Sequence, residues 1–168
     1  MPAPFELYLI RHGLAEARGD AWPDDAKRPL TEEGMSRLRK QVRGLARLGV
    51  SVDLILTSPF VRARQTADIV AGGLHPQPHV VALDSLTPDG SYADVVADLA
   101  KHGRRSRIAL VGHEPGIGEL AARLIGSRHR LPFKKGAVCC IEIDSLPPGG
   151  PGDLRWFVSP RILRSARK

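Results

Sequence analysis

Hydrophobic positions along the chain follow two rhythms. Short, nearly continuous apolar runs occur at 6–10 (ELYLI), 53–57 (DLILT), 79–83 (HVVAL) and 108–112 (IALVG), the pattern of strands buried on both faces. Between them the spacing lengthens to that of helices. The clearest opens at Thr31, an N-cap followed by Glu32 and Glu33, carries Met35, Leu38, Val42 and Leu45 on one face, and stops at Gly49. Further helices are expected over 60–72, 91–102 and 116–125. Strands alternating with helices predict a three-layer α/β fold, with a mainly parallel central sheet and helices on both of its faces.

After residue 137 the rhythm changes. The segments AVCCIEID and LRWFV are separated by SLPPGGPGD, a Pro/Gly-rich stretch with no room for a crossover helix. They predict a C-terminal strand pair near one sheet edge. A chain of 168 residues suits one core, so a single domain is expected over 1–160, followed by a basic tail at 161–168.

Composition narrows the class of protein. With 42% hydrophobic and 26% charged residues, the chain has the make-up of a globular protein. No apolar stretch reaches the roughly 20 residues of a membrane span, and the first five residues lack the character of a signal peptide, so a cytoplasmic location is expected. The two cysteines, Cys139 and Cys140, are adjacent; in a strand their side chains point to opposite faces, which argues for buried packing over a disulfide framework or a metal site. The net charge of +7 points to an anionic partner, with basic clusters at 101–107, 128–135 and 161–168. Aromatic residues make up 5% and do not interleave with those clusters, so a nucleic-acid partner is not favoured.

The fold gives the polar residues a common address. In open α/β sheets, ligands gather beyond the carboxyl ends of the strands. Arg11-His12-Gly13 follows the first strand there, Ser58, Arg62 and Arg64 follow the second, and Gly112, His113 and Glu114 follow the fourth. Three readings of this convergence stand open: a zinc site, structural polar residues, and a phosphoryl site. Zinc would need a third protein ligand and would be repelled by the arginines. Phosphoryl chemistry fits the residue types, because guanidinium forks match phosphate oxygens and an unprotonated imidazole can attack phosphorus. His75, His79, His102 and His129 lack this setting and read as structural.

The motifs RHG at 11–13, RPLTEEG at 28–34, SPFVRARQTA at 58–67 and GHEPGIGEL at 112–120 resemble, in order and spacing, the histidine phosphatase superfamily, also called the phosphoglycerate mutase-like superfamily. LTPDG at 86–90 and FKKGAVCCIEID at 133–144 are similar to its small SixA-like phosphohistidine phosphatases. The resemblance implies a phosphoglycerate mutase-like fold, with His12 as a transiently phosphorylated nucleophile and Arg11, Arg62 and His113 binding the phosphoryl oxygens. It implies no metal and no organic cofactor. Gly13, Ser58, Glu114 and Asp89 are added as candidate substrate-binding residues. Leu14 and the LTP segment stand where many relatives carry acidic residues, and Asp89 is the candidate proton donor, against a solvated loop aspartate. The implied activity is removal of phosphate from phosphohistidine in proteins. Alternatives are a phosphatase of small phosphate esters, a non-catalytic phosphoprotein-binding module and a nucleic-acid-binding protein.

Overall fold

Thr31 begins the first long helix as its sequence requires. Its hydroxyl accepts a hydrogen bond from the Gly34 amide at 2.9 Å, satisfying one of the amides left free in a first helical turn. The helix runs over Glu32–Arg47 (α1), and Gly49 closes its far end with a φ of 78°. The structure is a computed structural model describing residues 3–166. Its other elements are β1 (Phe5–Arg11), β2 (Leu54–Thr57), α2 (Val61–Gly73), β3 (His79–Ala82), α3 (Tyr92–Ala100), β4 (Arg107–Gly112), α4 (Gly116–Leu124), β5 (Val138–Ile143), β6 (Asp153–Val158) and α5 (Pro160–Ser165), with short 3-10 turns at Asp25–Lys27 and Asp84–Leu86.

The six strands form one sheet in the order β3-β2-β4-β1-β5-β6. β1 to β4 are mutually parallel, and β5 and β6 join antiparallel at one side as the expected terminal pair. Period-2 alternation divides the core between the two faces. Leu7, Leu9, Leu54, Leu56, Ile108 and Leu110 pack with α3 and α4, whereas Tyr8, Ile10, Ile55, Ala109 and Val111 pack with α1, α2 and α5. Cys139 and Cys140 obey the same alternation, one to each core, and both are free thiols.

Two sequence expectations change. The 79–83 run reads as a strand covered on both faces, yet Val81 is 37% exposed, because β3 ends the sheet and pairs on one side only. The basic stretch after residue 160 is helical as far as Ser165. Leu163 is buried in the core, and its backbone lies so close to Gly44 of α1 that any side chain there would overlap the Leu163 carbonyl oxygen. Arg167 and Lys168, the end of the expected tail, lie outside the described residues. Among the described residues no helix is long and apolar enough to cross a membrane.

Candidate active site

Parallel pairing brings the motifs together. β1 and β4 run in register from Glu6–Arg107 to Arg11–Gly112, so both strands end at the same level and hand their next residues, His12 and His113, to the same rim. The His12 amide also bonds the Gly112 carbonyl at 3.0 Å. The two imidazole centroids are 5.2 Å apart. β2 ends alongside, and the helix after it supplies Arg62 from its first turn. An open pocket of about 510 Å³ is lined there by Arg11, His12, Arg62 and His113.

His12 is fixed by its neighbours. Nδ1 lies 2.7 Å from the Gly13 carbonyl, which can only accept, so Nδ1 carries the proton and Nε2 keeps its lone pair. Arg62 Nε points at that Nε2 from 3.4 Å. Burial pushes the His12 pKa down to about 3; the Gly13 carbonyl works the other way, while the fields of His113, Arg62 and Arg11 add to the lowering. Desolvation therefore outweighs the neighbouring charges in keeping the nucleophilic form.

His113 is likewise pushed down to about 3, chiefly by burial and then by Arg62. Its Nε2 lies 2.8 Å from Ser58 Oγ, which already accepts the Phe60 amide at 3.2 Å. With the Phe60 amide donating to the same oxygen, the Ser58 hydroxyl can donate to Nε2, the arrangement that leaves the His113 proton on Nδ1. Three buried side-chain polar atoms make no hydrogen bond among the described residues, and two of them are His113 Nδ1 and Arg11 Nε. Unpaired buried donors are uncommon in folded proteins, and two of them beside a cationic pocket have the chemistry to receive an anion. Arg11 is anchored separately, by donation to the Phe133 carbonyl at 2.8 Å.

The secondary candidates divide. Ser58 is wholly buried and reaches the pocket through His113. Gly13 is required by packing: a Cβ there would sit 2.6 Å from Leu38 Cδ1, and its amide donates to Thr66 Oγ1 at 3.1 Å. Glu114 borders the pocket, but its carboxylate accepts the Gly118 amide of α4 at 2.8 Å and pairs with Arg130. Asp89 is exposed and lines a different depression, with Asp84, Asp94 and Asp98. Sequence reasoning missed Asp25, which bonds both Arg62 and Arg28, and Thr66, which links Gly13 to the Arg62 carbonyl. The signal for Arg28 lay in the RPLTEEG motif; Asp25, three residues earlier, had none of its own. Among the described residues no group of three His, Cys, Asp or Glu side chains could hold a metal ion.

Comparison with known proteins agrees with this geometry. Residues 7–86 match the family model described as histidine phosphatase superfamily (branch 1). The chain is 31% identical to phosphohistidine phosphatase SixA of Escherichia coli K12 over 165 residues, covering 96% of this chain and 98% of that protein. It is 39% identical over 138 residues to an uncharacterised protein of Picosynechococcus, covering 79% and 82% of the two chains. The solved structure of the protein histidine phosphatase SixA complexed with tungstate superposes with a TM-score of 0.84 at 28% identity, covering 95% of this chain and 99% of that one. With the imidazole pair, the two arginines and the order of the four motifs, these similarities place the chain in the histidine phosphatase superfamily, as a phosphatase of its SixA-like branch.

Proposed function

We propose that the chain is a metal-independent phosphohistidine phosphatase that acts on phosphorylated protein through a covalent intermediate on His12. The observation that carries the reading is the state of His12: Nδ1–H held by Gly13, and Nε2 bearing a lone pair in a pocket rich in donors. The phosphoryl group enters with its oxygens facing Arg11, Arg62 and His113 Nδ1. The Nε2 lone pair attacks phosphorus as the P–N bond to the substrate imidazole breaks, and the departing ring takes a proton. Water then attacks phosphorus, the bond to Nε2 breaks, and inorganic phosphate leaves with His12 restored. Positive charge from the arginines does what metal ions do in phosphatases of other designs.

Substrate choice follows from leaving-group chemistry and from the shape of the pocket. Alkoxide is a poor leaving group without a proton donor, whereas imidazole takes a proton near neutral pH and departs as a neutral ring. Asp89, the candidate donor, lines a neighbouring exposed depression, while Pro88 beside it lines the pocket. The pocket is open, with Arg18 and Lys135 at its edge, which suits a side chain presented by another protein. The names of the relatives point the same way, and tungstate, bound in one of them, is a tetrahedral dianion like phosphate.

The test compares kcat/KM on a phosphohistidine peptide and on a phosphoserine peptide of matched sequence, with isotopic trapping of phosphate on the enzyme. Strong preference for phosphohistidine, acid-labile label on the wild type and none on His12→Ala, and activity that survives chelator are expected. Label retained by His12→Ala ends the mechanism; equal rates on both peptides move the enzyme to the phosphate esterases.

A further inference from the structure

Arg62 is among the most deeply buried side chains of the protein, at 1% exposure, and a buried guanidinium needs a partner. Asp25, in the 3-10 turn Asp25–Lys27, supplies it twice. Arg62 Nη1 donates to the Asp25 carbonyl at 2.8 Å and Nη2 to Oδ2 at 2.9 Å, so backbone and side chain of one residue grip the far edge of the fork. Nε is thereby directed to His12 Nε2, the atom at which phosphorus is attacked. Oδ1 of the same carboxylate accepts Arg28 Nε at 2.9 Å, and Arg28, 8% exposed, ties the turn to the first loop through the Glu16 carbonyl at 2.8 Å. Arg18 approaches Oδ1 from solvent at 3.9 Å.

A carboxylate this close to a site for a dianion repels the substrate, so its presence needs a reason beyond binding. Burial would raise its pKa, but the hydrogen bond from Arg28 and the charge and bond of Arg62 outweigh that and hold it below the usual carboxylate range. The charge is therefore kept through the neutral range, where it costs substrate affinity and fixes the guanidinium.

We infer that Asp25 is a positioning residue of the phosphatase reaction, aligning the Arg62 fork so that its remaining donors meet the charge that develops on the phosphoryl oxygens. The inference rests on Arg62 as a phosphoryl-binding group. Asp25→Asn keeps the backbone carbonyl contact and the side-chain shape while removing the charge and one acceptor. Misaligning a preorganised group by about 1 Å can cost on the order of 10²-fold. The substitution should thus lower kcat by about 10- to 100-fold, while KM falls or stays level because the repulsion is gone. General loss of structure would not produce that split, and Asp25→Glu, which restores the charge, should recover part of kcat.

The test is a double-mutant cycle of Asp25→Asn with Arg62→Ala. It is assayed on whichever of an aryl phosphate and a phosphohistidine peptide the wild type turns over faster, with melting temperatures recorded for each variant. If Asp25 acts through Arg62, Asp25→Asn lowers kcat in the wild type and adds no more than twofold in the Arg62→Ala background. Additive losses, or an Asp25→Asn enzyme within twofold of wild type, overturn the inference. Arg62→Ala at wild-type rate would instead overturn the assignment of Arg62 on which it rests.

Discussion

Ser58 Oγ lies 2.8 Å from Nε2 of His113, and with the Phe60 amide donating to the same oxygen the hydroxyl proton is directed at the ring. Ser58 is wholly buried, and by donating to Nε2 it would leave the His113 proton on Nδ1. In Ser58→Ala the ring loses this instruction and both tautomers become available. We expect kcat/KM to fall on the order of 10-fold, a fraction of the 10² to 10³ that loss of a preorganised donor can cost. The check is steady-state kinetics beside His113→Ala: the serine variant should retain activity that His113→Ala loses, and equal losses would mean that Ser58 contacts the phosphoryl group itself.

Both site histidines link stability to pH. Their folded-state pKa values are near 3, against about 6.5 in an unfolded chain. Between those values the unfolded chain binds protons that the folded chain excludes, so stability falls as pH drops below about 6.5. Each histidine should contribute a loss of about 2 kcal/mol by pH 5. Urea unfolding of wild type, His12→Asn and His113→Gln at pH 7.5 and pH 5 measures this. Each variant should lose less stability between the two pH values than the wild type, and parallel losses would show that the imidazoles are not kept neutral by burial.

The contact of Gly44 with Leu163 makes the C-terminal helix part of the fold. Gly44→Ala places a methyl group against the Leu163 carbonyl. We expect a destabilisation of about 1–3 kcal/mol, typical of overpacking, and earlier proteolysis within α5. An unchanged melting temperature would mean that α5 holds to α1 loosely.

What was legible in the sequence follows from how local each signal is. The buried runs at 6–10 and 108–112, the Thr31 cap and the Gly49 stop each act within a few residues, and they gave the strands, the helix and the convergence of His12, Arg62 and His113. Asp25 could not be read this way. Its partner Arg62 is 37 residues away, and the surrounding stretch, GDAWPDDAK at 19–27, has no helix or strand rhythm that would place it against α2. The edge position of β3 was hidden for a related reason: an apolar run records that a strand is covered, while which strand ends the sheet is set by the pairing order. Helix α5 was masked by charge, since one buried leucine among Arg161, Arg164 and Arg167 reads as a solvated tail.

The remaining question is where a leaving group could find a proton. Asp89 lines a depression separate from the pocket, so Asp89→Asn should leave kcat/KM within about twofold on every substrate. At the pocket itself the carboxylates are Glu16 and Glu114, and Glu114 is already committed to the Gly118 amide and to Arg130. Of the two lining carboxylates that leaves Glu16, whose backbone carbonyl is held by Arg28, as the one to test for assistance to an alkoxide. Because imidazole leaves without such help, Glu16→Gln should separate the two substrate classes. Residual activity on a phosphoserine peptide should fall by 10-fold or more, general acid assistance being typically worth about 10² to 10⁴, while activity on the phosphohistidine peptide holds within about twofold. Equal effects on both peptides would make Glu16 a binding residue, and a phosphoserine activity that disappears only with Asp89 would place the acid on the 86–90 loop after all.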